Sequence, residues 1–196
     1  GSIGVTSEDS TFATNAKADK SDIARFVSDK GLDIAQTSDN ELFYGRVGCM
    51  CGYHNNTHKE WCTEDIQNIA WLAWTDDKSL PGVNEAGRYY YLTKDVNLSS
   101  TFELNAAGTW GLDLNGKTIT APDRAFNLGG NSSNLTYKIT DTSAAGTGKI
   151  KYRDSVTSAS GMLFFVRDGA NVEFYAGTIT GEGPTTIYGC TLVVAN

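Results

Sequence analysis

Gly161-Met162-Leu163-Phe164-Phe165-Val166-Arg167-Asp168 aligns with Gly189-Cys190-Thr191-Leu192-Val193-Val194-Ala195-Asn196, and Arg124-Ala125-Phe126-Asn127-Leu128-Gly129-Gly130 reads as an earlier copy. Two further themes recur around it. Asn134-Leu135-Thr136-Tyr137-Lys138-Ile139-Thr140 matches Asn171-Val172-Glu173-Phe174-Tyr175-Ala176-Gly177. A Gly-x-x-Ile theme appears as Gly116-Lys117-Thr118-Ile119 and Gly177-Thr178-Ile179-Thr180, with the shorter Gly148-Lys149-Ile150. Short strands separated by tight glycine turns thus return at a period of roughly 28–38 residues, the range of repeat architectures. A strand that pairs with its own copy one circuit later lies about 4.8 Å from it. Asp168-Gly169 and Gly129-Gly130 supply residues able to take the positive φ of sharp corners. The expected fold is therefore mainly β: a right-handed parallel β-helix of few coils. The competing architecture is a β-sandwich with chance similarity.

Working outward, Arg88 to Leu114 also reads as short strands: Tyr89-Tyr90-Tyr91-Leu92, Val96-Asn97-Leu98, Thr101-Phe102-Glu103-Leu104 and Gly111-Leu112-Asp113-Leu114. Upstream, Ser21 to Gly31 has a capping serine, Ile23, Phe26 and Val27 on one face and a terminal glycine, which predicts a short helix. Leu42-Phe43-Tyr44 reads as a strand. Thr63-Glu64-Asp65 resembles a helix start, whereas Ile69 to Trp74 fits a strand with Trp71 and Ala73 on one face; periodicity does not decide over so short a run. Residues 1–87 are expected to form an arm and a small N-terminal cap, and residues 88–196 the coils. The eight-residue match closes on Asn196, so the coils are expected to continue past it, with an open coil end available for self-association.

The net charge is −7, which repels phosphate backbones and anionic lipid and makes nucleic acid a poor partner. No apolar run nears the ~20 residues of a membrane span. A neutral partner such as a polysaccharide suits this balance better, and a surface glycan or a partner protein is the expected class.

The sharpest constellation is Cys49, Cys51, His54, His58 and Cys62: five soft or borderline ligands in one short segment that holds both histidines of the chain. Thiolate and imidazole suit tetrahedral Zn²⁺, which takes four of the five and forms a structural site when all four positions are filled. A disulfide from Cys62 to Cys49 or Cys51, or unreacted thiols, are the alternatives. A catalytic zinc would want an open position and a nearby Glu60 or Glu64. Cys190 reads as a buried small hydrophobe.

The coil carboxylates are Glu103, Asp113, Asp123, Asp141, Asp154, Asp168, Glu173 and Glu182. No Asp-Asp pair and no compact basic–acidic cluster occupies one strand, so the sequence leans away from an enzyme. Among the aromatics, Trp110 after Gly108-Thr109 reads as an exposed ring able to stack on a sugar face, with Tyr89 and Tyr91 as further candidates.

The order Cys49-Met50-Cys51-Gly52-Tyr53-His54, Trp71-Leu72-Ala73-Trp74-Thr75, Gly87-Arg88-Tyr89-Tyr90-Tyr91-Leu92-Thr93-Lys94-Asp95-Val96 and Leu112-Asp113-Leu114-Asn115-Gly116-Lys117-Thr118-Ile119 resembles the pectin-lyase-like β-helix regions of large adhesin-like surface proteins of anaerobic Gram-positive bacteria. The resemblance covers roughly residues 49–196. It implies a parallel β-helix and an extracellular or cell-surface location, and no single activity. The expected function is a non-catalytic module that binds carbohydrate or serves as a stalk; the alternative is a fragment of a polysaccharide lyase or glycoside hydrolase.

Overall fold

The computed structural model describes residues 45–52, 57–85, 87–122, 124–130, 134–152, 163–167 and 169–180 in full, and the strand backbone at 3–5, 11–12, 26–28, 34–36, 42–44, 162, 186–187 and 191–194. The segment from Tyr89 onward climbs through three parallel sheets, giving each sheet one strand per circuit. The first circuit holds β7 (Tyr89–Leu92), β8 (Val96–Asn97) and β9 (Phe102–Leu104). The second holds β10 (Gly108–Asp113), β11 (Thr118–Ala121) and β12 (Arg124–Leu128), and the third β13 (Leu135–Thr140), β14 (Lys149–Tyr152) and β15 (Met162–Val166). β16 (Ala170–Phe174), β17 (Thr178–Thr180) and β18 (Thr186–Ile187) make the fourth, and β19 (Thr191–Val194) begins another. Every strand pairs in parallel with the one three places along the chain, giving sheet orders β7-β10-β13-β16-β19, β8-β11-β14-β17 and β9-β12-β15-β18.

Strand alternation sends one residue in two inward, and the in-register copies stack in columns. Leu72, Tyr90, Leu112, Ile139 and Phe174 form one column in the first sheet. Val96, Ile119 and Ile150 form one in the second, which the Gly-x-x-Ile theme anticipated; it ends on Ile179, 43% exposed. Phe102, Phe126 and Phe164 form one in the third, with the Phe126 and Phe164 rings stacked at 4.8 Å. All these residues except Ile179 belong to one continuous core.

The corners are made where glycine was expected: Gly129, Gly130 and Gly169 have φ of 82°, 114° and 78°. At the first corner Asn115 takes φ 49° and donates Nδ2 to Leu92 O one circuit below, at 2.9 Å.

The upstream part extends the first sheet. β6 (Ile69–Trp74) pairs in parallel with β7 and antiparallel with β5 (Leu42–Gly48). β5 also pairs antiparallel with β2 (Thr11–Phe12) and β4 (Ile34–Gln36). A 3₁₀ turn at Glu64–Ile66 precedes β6, so the strand reading holds for Ile69–Trp74, and the helix start at Thr63 goes no further than that turn.

Three sequence expectations are corrected. Gly161–Asp168 does not stack on Gly189–Asn196: β15 pairs with β12 and β18, whereas β19 pairs with β16 in the first sheet. Both segments are apolar strands that follow a glycine, and that pattern does not distinguish one sheet from another. The alignment of β12 with β15 was right, and that of β13 with β16 was offset by one alternation, with Leu135 facing Ala170. The short helix expected at Ser21–Gly31 is also replaced, over its described part, by strand: β3 (Phe26–Ser28) pairs in parallel with β1 (Ile3–Val5). Phe and Val favour strands once a partner edge is present.

Candidate metal centre on the outer face of the first sheet

The outward residues of the first sheet do not face water over most of its N-terminal half. Trp71, Ala73 and Tyr91 form a second, smaller core with Cys49, Met50, Cys51, Cys62, Ile66 and Ile69, against which Trp61, Tyr89 and Tyr175 pack. The segment between β5 and β6 folds back over the sheet. Its turns are pinned individually. Gly52 N donates to Cys49 O at 3.1 Å and Gly52 takes φ 75°. Cys62 N donates to Lys59 O at 2.9 Å, Met50 N to Ile66 O at 2.9 Å, and Gln67 Nε2 to Cys62 O at 2.9 Å. The fully buried Thr140 of the third circuit donates Oγ1 to Met50 O at 2.6 Å.

This folding gathers Cys49, Cys51, His58 and Cys62, whose ligand atoms all lie within 4.8 Å of one another. Cys51 Sγ and Cys62 Sγ lie 3.4 and 3.5 Å from His58 Nδ1. Cys49 Sγ lies 3.0 Å from Cys51 Sγ, beyond the ~2.05 Å of a disulfide bond. Burial pushes the Cys49 thiol above its ordinary range, with Cys51 adding to the effect. Burial likewise pushes Cys62 up to about 12, helped by Cys51. Three thiols crowded together resist ionising in sequence; a divalent cation between them reverses that resistance. The Cys₃His set can hold a metal ion. Of the five ligands expected from sequence, four converge; His54 lies outside the described residues, as does Cys190.

Beside the centre, Arg46 reaches from β5 across the Tyr91 ring, at 4.5 Å, to an ion pair with Asp113. It also donates to Thr142 Oγ1 at 2.7 Å and Asn115 Oδ1 at 3.2 Å. Asp113 is fully buried. It accepts from Asn115 N at 2.8 Å, Thr142 N at 2.9 Å and Thr142 Oγ1 at 2.5 Å. Burial nonetheless holds its carboxyl above the usual range, against the Arg46 charge. Asp141, on the next circuit, accepts from Gly116 N, Ser143 N and Gly148 N at 2.8, 3.2 and 2.6 Å. The topology thus brings two coil carboxylates to one corner, Asp113 held by Arg46, Thr142 and corner backbone, and Asp141 by three corner N–H groups. Glu173 pairs with Lys138 at 2.6 Å and accepts from Tyr175 OH at 2.5 Å. The Trp61 and Tyr175 rings lie 4.7 Å apart. Asp123, Asp154, Asp168 and Glu182 lie outside the described residues.

The stacking candidates are corrected. Trp110 is not in an exposed turn: Gly108 already opens β10, and Trp110 points inward in register with Tyr137, 6% exposed. Tyr91 is buried beneath Arg46. Tyr89 lies half-buried over Gly111, where an added Cβ would come within 2.3 Å of the ring, and meets Trp71 edge-on at 5.6 Å. Arg46, Thr140 and Lys138 were not anticipated. Their partners are 67, 90 and 35 residues away, and no local pattern marks such pairs.

In comparisons with known proteins, no family model matches the chain. Neither a curated protein nor a solved structure matches it.

Proposed function

We propose that this chain is a right-handed parallel β-helix module of a secreted or cell-surface bacterial protein that binds saccharide without acting on it, and that Cys49, Cys51, His58 and Cys62 hold a structural Zn²⁺. The handedness rests on a general rule: crossovers between parallel strands of one sheet are right-handed in about 98% of cases. The zinc reading rests on ligand geometry. With Zn–S near 2.3 Å and Zn–N near 2.0–2.1 Å, tetrahedral S···N edges are about 3.6 Å and S···S edges about 3.8 Å. The 3.4 and 3.5 Å edges to His58 fit closely, and the 3.0 Å Cys49–Cys51 edge requires a small opening. Four protein ligands fill a tetrahedron, the closed arrangement of a structural rather than a catalytic zinc. The ion would fasten a segment with little core of its own to the outer face of the first sheet.

One observation carries the non-catalytic reading: Asp113 and Asp141, the described carboxylates that meet across adjacent circuits, are both committed to holding the corner. The net charge of −7 disfavours nucleic acid and anionic membranes, so any anionic ligand must be held by a local cluster of cations rather than by the overall field. The test is paired. Metal analysis of protein purified without added metal is expected to give one zinc per chain, lost in Cys51→Ser. Glycan-array binding is expected to give hits without turnover; reducing ends or unsaturated products released from a bound polysaccharide would overturn the non-catalytic reading.

A further inference from the structure

The outer face of the third sheet carries a different constellation. Glu103, Asn127 and Phe165 stand in one row across β9, β12 and β15. Asn127 is 8% exposed and donates Nδ2 to Glu103 Oε1 at 3.0 Å, while its Oδ1 is buried without a hydrogen-bond partner. Flipping the amide would not cure this, because a carboxylate accepts and cannot donate to Oδ1. The guanidinium carbons of Arg124 and Arg167 lie 4.7 and 6.0 Å from the centre of the Phe165 ring. Arg167 is held over Gly130, where a Cβ would come within 3.1 Å of Cζ and Nη2, so the glycine corner makes room for the guanidinium. Its Nε is buried and without an acceptor. Among the described residues neither arginine has an ion pair.

Buried polar atoms in folded proteins are almost always satisfied, by protein, by ordered water or by a bound group. Here an orphan acceptor, an orphan donor, an aromatic ring and two guanidiniums share one face of two adjacent circuits. We propose that this face binds an acidic saccharide, a proposal that rests on the saccharide-binding reading above and gives it a site and a ligand class. The C–H face of the sugar ring packs on Phe165. A hydroxyl donates to Asn127 Oδ1. A carboxylate or sulfate oxygen accepts from Arg167 Nε, and Arg124 closes on the same anion. A sugar hydroxyl supplies the donor for Asn127 Oδ1, and an anionic substituent supplies an acceptor that two guanidiniums bind more strongly than a neutral hydroxyl. Charge-assisted, fork-shaped recognition of this kind belongs to arginine more than to lysine.

The test is calorimetric titration of the metal-loaded chain at physiological salt with three probes: an alginate oligosaccharide bearing carboxylates, a heparin oligosaccharide bearing sulfates, and a neutral maltooligosaccharide. The expected result is binding of at least one acidic probe at least about tenfold tighter than the neutral one. Arg124→Ala/Arg167→Ala should abolish that preference with thermal stability retained. Arg167→Lys, which keeps the charge and loses the fork, should lose roughly tenfold by itself and serves if the double variant folds poorly. The carboxylate and sulfate arms identify the anion. Unchanged acidic-probe affinity in both variants would overturn this site and leave the saccharide reading standing. Equal binding of neutral and acidic probes would overturn the ligand class. Binding of no probe by the wild-type chain, with array hits absent as well, would overturn the reading beneath it.

Discussion

Replacing Arg46 by methionine removes the only described side-chain charge that pairs with Asp113 and leaves that carboxylate fully buried. Breaking a buried pair from one side costs about 3–5 kcal/mol. The lower end applies here, because Asp113 keeps its donors Asn115 N, Thr142 N and Thr142 Oγ1. The expected loss is therefore about 3 kcal/mol, or a fall in Tm of roughly 6–12 °C for a chain of this size. Asp113→Asn should cost only about 1 kcal/mol. The amide oxygen still accepts from the two backbone N–H groups, its Nδ2 can donate to Thr142 Oγ1, and Arg46, whose side chain is 31% exposed, can turn to water. The double variant should match Asp113→Asn, not the sum of the two. The deficit of Arg46→Met should also shrink in acid. Asp113 already has a raised carboxyl in the folded state, and losing the cation raises it further, so the folded chain binds more protons than the unfolded one and stability falls as pH rises. Urea melts followed by circular dichroism at pH 5 and pH 8 measure all of this. Equal costs for Arg46→Met and Asp113→Asn, or simple additivity in the double variant, would refute the reasoning.

Three further outcomes follow from the packing and the charges. Phe126→Ala empties the centre of the Phe102–Phe126–Phe164 column and is expected to cost about 3–5 kcal/mol in the same melts. Gly148→Ala drives a Cβ to 2.6 Å from Asp141 Cγ and 2.7 Å from Leu114 Cβ, and should cost about 1–3 kcal/mol although it adds apolar surface. Lys138 has its folded pKa raised: burial lowers it, but the bonds to Glu173 and Tyr175 outweigh burial. Its contribution is complete below the unfolded value of about 10.4 and is lost as pH rises through the folded value; Lys138→Met should flatten that alkaline limb of the stability curve and leave the neutral-to-acid limb in place.

Much of the coil architecture could be read from residues because it is local. The recurring Gly-x-x-Ile marked the second-sheet column, whose Ile119 and Ile150 are fully buried. The pairing of circuits could not be read the same way. Inner strands of different sheets share one apolar alternation, so Gly161–Asp168 and Gly189–Asn196 look alike while lying in different sheets. Trp110 misled for a related reason: Gly108, at φ 104°, reads as a turn residue but opens the strand that turns the indole inward. The candidate metal ligands were visible as residue types, since thiol and imidazole spacing is a chemical signal carried in one segment. Where that segment docks depends on Thr140, Arg46 and the outward row Tyr91–Asp113–Thr140, which is formed only after the sheets stack.

The most direct test of the proposed zinc centre is zinc-edge X-ray absorption on the purified chain with its own metal content. Three sulfurs at about 2.3 Å and one nitrogen at about 2.0–2.1 Å are expected, with one zinc per chain. A first shell of oxygen and nitrogen without sulfur, or a metal-free chain carrying a disulfide among Cys49, Cys51 and Cys62 by mass spectrometry, would contradict it.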